Sequence, residues 1–85
     1  MVKVWIGYGH NRRICTAKTV IRINRIRPST IDIYIGLPKE VPDFNEFVAD
    51  FADAVEHEIL HAILWNSGIH EPEVHERIIR ALQRR

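Results

Sequence analysis

The chain of 85 residues has a single cysteine, Cys15. One thiol excludes an internal disulfide framework and every cysteine-based zinc ribbon, so any metal must be held by His, Asp or Glu. Nothing around Cys15 in "RRICTAK" marks a nucleophile, and it reads as a small, half-buried residue. Long apolar runs are also missing. None approaches the ~18 residues of a membrane helix, and the opening "VKVWIGYG" alternates like a strand, with neither the apolar centre nor the cleavage site of a secretory leader. A soluble, cytoplasmic protein is expected. There is no repeat, no low-complexity tract and no linker, so residues 1–85 are read as one domain with one modest core. A domain of this size buries only about 60 to 65% of its unfolded surface. A bound metal would therefore add usefully to its stability.

Charge is balanced overall, at +1, but not along the chain. Residues 1–42 hold eight Lys/Arg against Asp32 and Glu40, a net +6, and residues 43–85 hold four against nine acids, a net −5. The two halves can attract each other. The basic half can also meet nucleic acid or an acidic substrate.

Three stretches carry the two-residue period of half-buried strands. Val2 to Tyr8 sets Val2, Val4, Ile6 and Tyr8 against Lys3, Trp5 and Gly7; Lys18 to Arg27 is β-branched and basic; Thr30 to Ile35 sets three isoleucines against Asp32 and Tyr34. "RPST" supplies a turn, and the second and third strands are expected to form a hairpin. Arg12 to Lys18 fits either a strand or a short helical turn. Asp43 with Glu46 three residues on has the form of a capping box. From Phe44 the helical rhythm runs through Phe47, Val48, Phe51, Ala52, Val55, Ile59, Ala62 and Ile63, predicting one long helix that ends near Asn66, with Gly68 placed for a left-handed cap. Pro72 stands at a first helical position, and Val74, Ile78, Ile79 and Leu82 mark a second helix to about Gln83. The fold class is α+β: a small three-stranded sheet, a long helix and a shorter C-terminal helix.

The long helix carries "HEILH", His57 to His61. Its histidines lie at i and i+4, point roughly 140° away from the core stripe, and stack one ring above the other so that one cation can touch both. Glu58 falls between the histidine side and the core side, where a carboxylate can face a water without being a ligand. About 2% of shuffled chains of this composition would contain the pattern, so chance is a poor account of it beside its known mechanism as a zinc site.

A helix bearing "HEILH" between a small sheet and a second helix resembles the zincin metallopeptidases. It departs from the metzincins, since Leu64 and Ser67 stand where they have Gly and a third His. It is more similar to the gluzincins, and in size to their minimal soluble scaffolds. The resemblance covers residues 43–85 and, for the sheet, only the general layout. It implies a zinc-dependent peptidase with Zn²⁺ on His57, His61 and a downstream Glu, and with Glu58 as general base acting on a metal-activated water. Glu76 fits that third position, because Ile78, Ile79 and Leu82 follow it as apolar residues follow the gluzincin ligand. The helical wheel disagrees in part, placing His75 inside the apolar stripe and Glu76 off its edge, which keeps His75 as a candidate ligand or donor to the reacting oxygen. His70 in "IHEPEV" resembles the third-ligand region of SprT-like proteases, and Glu73 is the last candidate. Arg80 occupies the place of an Asp found in one gluzincin subgroup; Asp50, two turns before His57, is a candidate partner for the ligands. His75 and Tyr34 are candidates for the oxyanion, and a peptide substrate is expected along a sheet edge, the strand Thr30 to Ile35.

A competing reading is a nucleic-acid-binding module, clipped together by the metal, in which Arg12, Arg13, Lys18, Arg22, Arg25 and Arg27 contact phosphates. Aromatics for base stacking are few there: Trp5, Tyr8 and Tyr34. A metal-dependent RNA hydrolase with a histidine-only site is a third option, whose usual spacing is not matched.

Overall fold

In the computed structural model, which describes residues 2–23, 26 and 29–83, the chain runs β1 (Val2–Tyr8), β2 (Thr16–Arg22), β3 (Thr30–Leu37), α1 (Phe44–Asn66) and α2 (Pro72–Leu82). A three-stranded sheet followed by one long and one shorter helix makes this a small α+β fold. The span after β1 begins with a turn in which the Asn11 side chain accepts from the backbone N–H groups of Arg13 and Ile14, and β2 then starts at Thr16. The second strand is shorter than the sequence suggests at its far end: Ile23 lies beyond it, exposed. Positions 24, 25, 27 and 28, which hold the rest of the expected strand and part of the "RPST" turn, lie outside the described residues.

The strand order is β1-β3-β2. β2 and β3 pair antiparallel, as a hairpin does, while β1 returns parallel to β3 on its other side. The expectation that Thr30 to Ile35 offers a sheet edge is therefore corrected, because both of its edges are already paired. Among the described residues the free edges belong to β1 and β2. The physical reason is burial: Ile31, Ile33 and Ile35 are almost fully buried and belong at the centre, where α1 covers them.

Ala62 joins those isoleucines in the core, with Phe51, Val55 and Trp65 of α1 and Ala17 and Ile21 of β2 packed around them. This turns α1 away from the stripe expected for it. Val48, Ile59 and Ile63 are exposed, and the sheet-facing seam runs through Phe51, Val55, Glu58, Ala62 and Trp65. The apolar residues of α1 span more of its circumference than one sheet can cover. α1 lies over β2 and β3, so Val2, Val4 and Ile6 on the same side of β1 stay partly exposed. No helix among the described residues is long and apolar enough to cross a membrane.

Both ends of α1 are set by local chemistry. Asp43 is extended at the N-cap and its carboxylate accepts from the Glu46 N–H at 3.2 Å. At the other end Gly68 N–H donates to the Trp65 carbonyl and Ile69 N–H to that of Leu64, both at 3.0 Å, a Schellman motif with Gly68 at φ 90°. That turn sends the chain back so that α2 lies against α1, with Ile79 fully buried between them. A Cβ on Gly68 would meet nothing within 4 Å, so its substitution strains only the backbone. Gly68→Ala is expected to cost about 1–2 kcal/mol in urea unfolding at unchanged m-value.

Candidate metal centre

Two turns of α1 carry His57 and His61, with ring centroids 5.0 Å apart and the rings edge to face. α2 brings Glu76 across from them. Its Oε1 lies 3.0 Å from His61 Nε2 and 3.6 Å from His57 Nε2, and the potential ligand atoms of the three residues all fall within 4.8 Å of one another. Bonds of about 2.0–2.2 Å to a tetrahedral zinc place ligand atoms roughly 3.3–3.6 Å apart. The two separations from Glu76 Oε1 sit around that figure.

The other nitrogen of each ring decides what Nε2 offers. Gln83, just past α2, donates through Nε2 to the Asp53 carbonyl at 3.0 Å, which turns its Oε1 towards His57 Nδ1, also at 3.0 Å. An amide oxygen only accepts, so His57 Nδ1 carries the proton and Nε2 of the neutral ring presents a lone pair. On the second histidine the tautomer is set through His75. His75 Nε2 faces the Ile69 carbonyl, which also only accepts, so that nitrogen is the N–H of His75. A neutral His75 then accepts at Nδ1, and His61 Nδ1, 3.0 Å away, donates to it. With all three rings neutral, His61 Nε2 is then a lone pair as well, and the two lone pairs meet the Glu76 carboxylate in an arrangement that a bound cation would satisfy; protonated rings would instead pair with Glu76 at the same distances.

Glu58 has a different environment. It is buried, at 7% exposure, in the seam of α1 that faces the sheet, and its Oε2 accepts from Thr19 Oγ1 of β2. Glu58, His57, His61 and Glu76 line one cleft of about 310 Å³, whose far wall is Thr19 and Ile21. Thr19 and Ile21 belong to β2, an outer strand of the sheet.

Of the other candidates, His75 is 3% exposed with both ring nitrogens engaged, so it is neither a metal ligand nor an oxyanion donor; it orients His61. The wheel placed it in the apolar stripe of α2, and there it is buried. His70 stacks on Trp65, with centroids 3.9 Å apart, at the rim of the cleft, and does not join the ligand group. Glu73 is exposed in the first turn of α2. Tyr34 lies on the sheet face opposite α1, too far round to serve an oxyanion in the cleft. Asp50 is turned to other work, accepting from the Cys15 N–H at 2.7 Å. Burial, reinforced by the Asp50 carboxylate, pushes the Cys15 thiol up from its ordinary pKa, so it stays protonated and unreactive at neutral pH.

Sequence reasoning missed Thr19 and Gln83. Thr19 had a signal, since the alternation Ala17, Thr19, Ile21 puts a hydroxyl in the row that faces the helix, where it needs a partner. Gln83 had none, because its role depends on how α2 docks. No protein-family model, curated protein or solved structure matches the chain.

Proposed function

We propose that the protein is a zinc-dependent peptidase. The observation that carries this reading is the approach of the Glu76 carboxylate to both His57 and His61 Nε2 beside a buried Glu58, in a cleft that the outer strand β2 lines with Thr19 and Ile21. The donor set, two imidazoles and one carboxylate, suits zinc, which His57, His61 and Glu76 would hold. Zinc bound there supplies Lewis acidity to the attacking water and to the scissile carbonyl.

The chain's own residues do the rest. Thr19 holds Glu58 by one oxygen and leaves the other for chemistry. Glu58 takes a proton from the water as its oxygen attacks the carbonyl carbon, and returns that proton to the amine nitrogen as the C–N bond breaks. Gln83 and His75 keep both histidines in the tautomer that points a lone pair at the metal. An extended substrate adds to the outer edge of β2, beside Thr19 and Ile21, and its backbone completes the hydrogen bonds that β2 lacks on that side. The walls are low in a chain this short, so side-chain selection is expected to be loose.

The test is direct. Zinc-loaded protein is incubated with a mixture of unstructured peptides, and new termini are read by mass spectrometry. Cleavage that a chelator stops and added zinc restores is the expected result. Intact peptides after prolonged incubation with excess zinc-loaded protein would contradict the reading.

A further inference from the structure

The sheet has a second face, and the peptidase reading makes no use of it. α1 packs on the side of Ile31, Ile33 and Ile35, and α2 lies against α1. On the opposite side the pairing register lines up residues in rows across the three strands: Gly7, Gly36 and Thr16; then Trp5, Tyr34 and Lys18; then Lys3, Asp32 and Val20; and below them Thr30 and Arg22.

The second row is an aromatic platform. The Trp5 and Tyr34 rings lie 6.5 Å apart at 14°, close to coplanar tilt, and Lys18 Nζ stands 5.4 Å from the Tyr34 centroid. Trp5 is 52% exposed. Its one polar atom, Nε1, is turned in towards Asp32 Oδ1 at 3.5 Å, so what it offers outward is hydrocarbon and π surface. The row above has glycines on both of its first two strands and leaves room over the rings. Gly36 is required there for a second reason, since a Cβ would come within 2.8 Å of Gly9 Cα.

The charge on this face has one sign at its surface. Lys3, Lys18 and Arg22 are exposed, while Asp32 is buried to 9% and spends its oxygens on Trp5 and on Arg22 Nε, the latter at 3.2 Å. Asp32 holds the Arg22 guanidinium against the sheet. Flat rings flanked by cations suit a polyanion that carries its own flat rings. A duplex hides the faces of its bases and a phosphopeptide has few rings to stack, which leaves a single-stranded nucleic acid as the occupant that uses both features.

We propose that this face binds single-stranded nucleic acid, stacking bases on Trp5 and Tyr34 and contacting phosphates through Lys3, Lys18 and Arg22. The site is separate from the metal cleft and stands whether or not the peptidase reading does.

A fluorescein-labelled 12-nucleotide oligo(U), its DNA counterpart oligo(dT) and a 12-base-pair duplex are titrated with the full chain, followed by anisotropy. The single strands are expected to bind at least about tenfold more tightly than the duplex. Trp5→Ala and Tyr34→Ala should each weaken them by about tenfold. The slope of log K against log salt should lie near −2, about −0.7 for each of three phosphates. Since Trp5→Ala can also disturb the sheet, a second readout uses Trp65→Phe, which leaves Trp5 as the one tryptophan. Its emission should be quenched by unlabelled oligo(dT), and Lys18→Glu should weaken that quenching. Equal affinity for duplex and single strand, no binding at low salt, or Trp5 emission unchanged at saturating oligonucleotide would each overturn the proposal.

Discussion

Glu58→Gln is expected to lower the rate of peptide hydrolysis by about 10²- to 10⁴-fold, the contribution of a general base, while one zinc per chain remains bound. The substitution is chosen for what it leaves intact. Glutamine keeps the length of the side chain and an oxygen that accepts from Thr19 Oγ1, so the seam between α1 and β2 stays closed. It removes only the basic oxygen. A variant that retains zinc and turns over at the unaltered rate would remove Glu58 from the chemistry, and the base would have to be sought elsewhere in the cleft.

The second large effect is on stability. On the zinc reading proposed above, a cation would tie α1 to α2 through His57, His61 and Glu76, beside the buried Ile79 and His75 of α2. A ligand present at a thousand times its Kd stabilises the folded state by about 4 kcal/mol. In a domain of this size each kcal/mol is worth about 4–8 °C. Excess chelator should therefore lower the midpoint of thermal unfolding by about 15 °C or more relative to zinc-loaded protein, followed by circular dichroism, and added zinc should restore it. Melting curves that superimpose with and without chelator would mean that no cation ties the helices together.

Local chemistry made much of this fold legible. β1 occupies the seven residues its alternation marks, Asp43 caps α1, Gly68 carries the left-handed turn and Pro72 opens α2. Each of these depends on a residue's own backbone preference or on neighbours within a turn. The parallel pairing of β1 with β3 was not legible, since it joins residues nearly 30 apart and no local pattern distinguishes the centre of a sheet from its edge. The side of α1 that faces the sheet was misread for a related reason. Its apolar residues wrap so far round the helix that Ile59 and Ile63 look as fit for the core as Phe51 and Val55, until the position of the sheet decides.

The site divides in the same way. The spacing of His57, Glu58 and His61 is a property of one helix and can be read from it. Which of Glu76, His75, His70 and Glu73 meets the histidine pair depends on the rotation of α2, and that rotation is set by the Gly68 turn together with Ile79 in the core. The structure puts Glu76 against both Nε2 atoms and His75 behind His61. His75 is buried where the helical wheel puts it, with its Nδ1 against that of His61.

The joint grip of His57, His61 and Glu76 on one cation is tested most directly by elemental analysis of the purified chain and of Glu76→Ala, each loaded with zinc and dialysed against metal-free buffer. One zinc per chain in the parent protein and a small fraction of that in the variant is the predicted result. A parent chain that keeps no metal, or a variant that keeps a full equivalent, would contradict it.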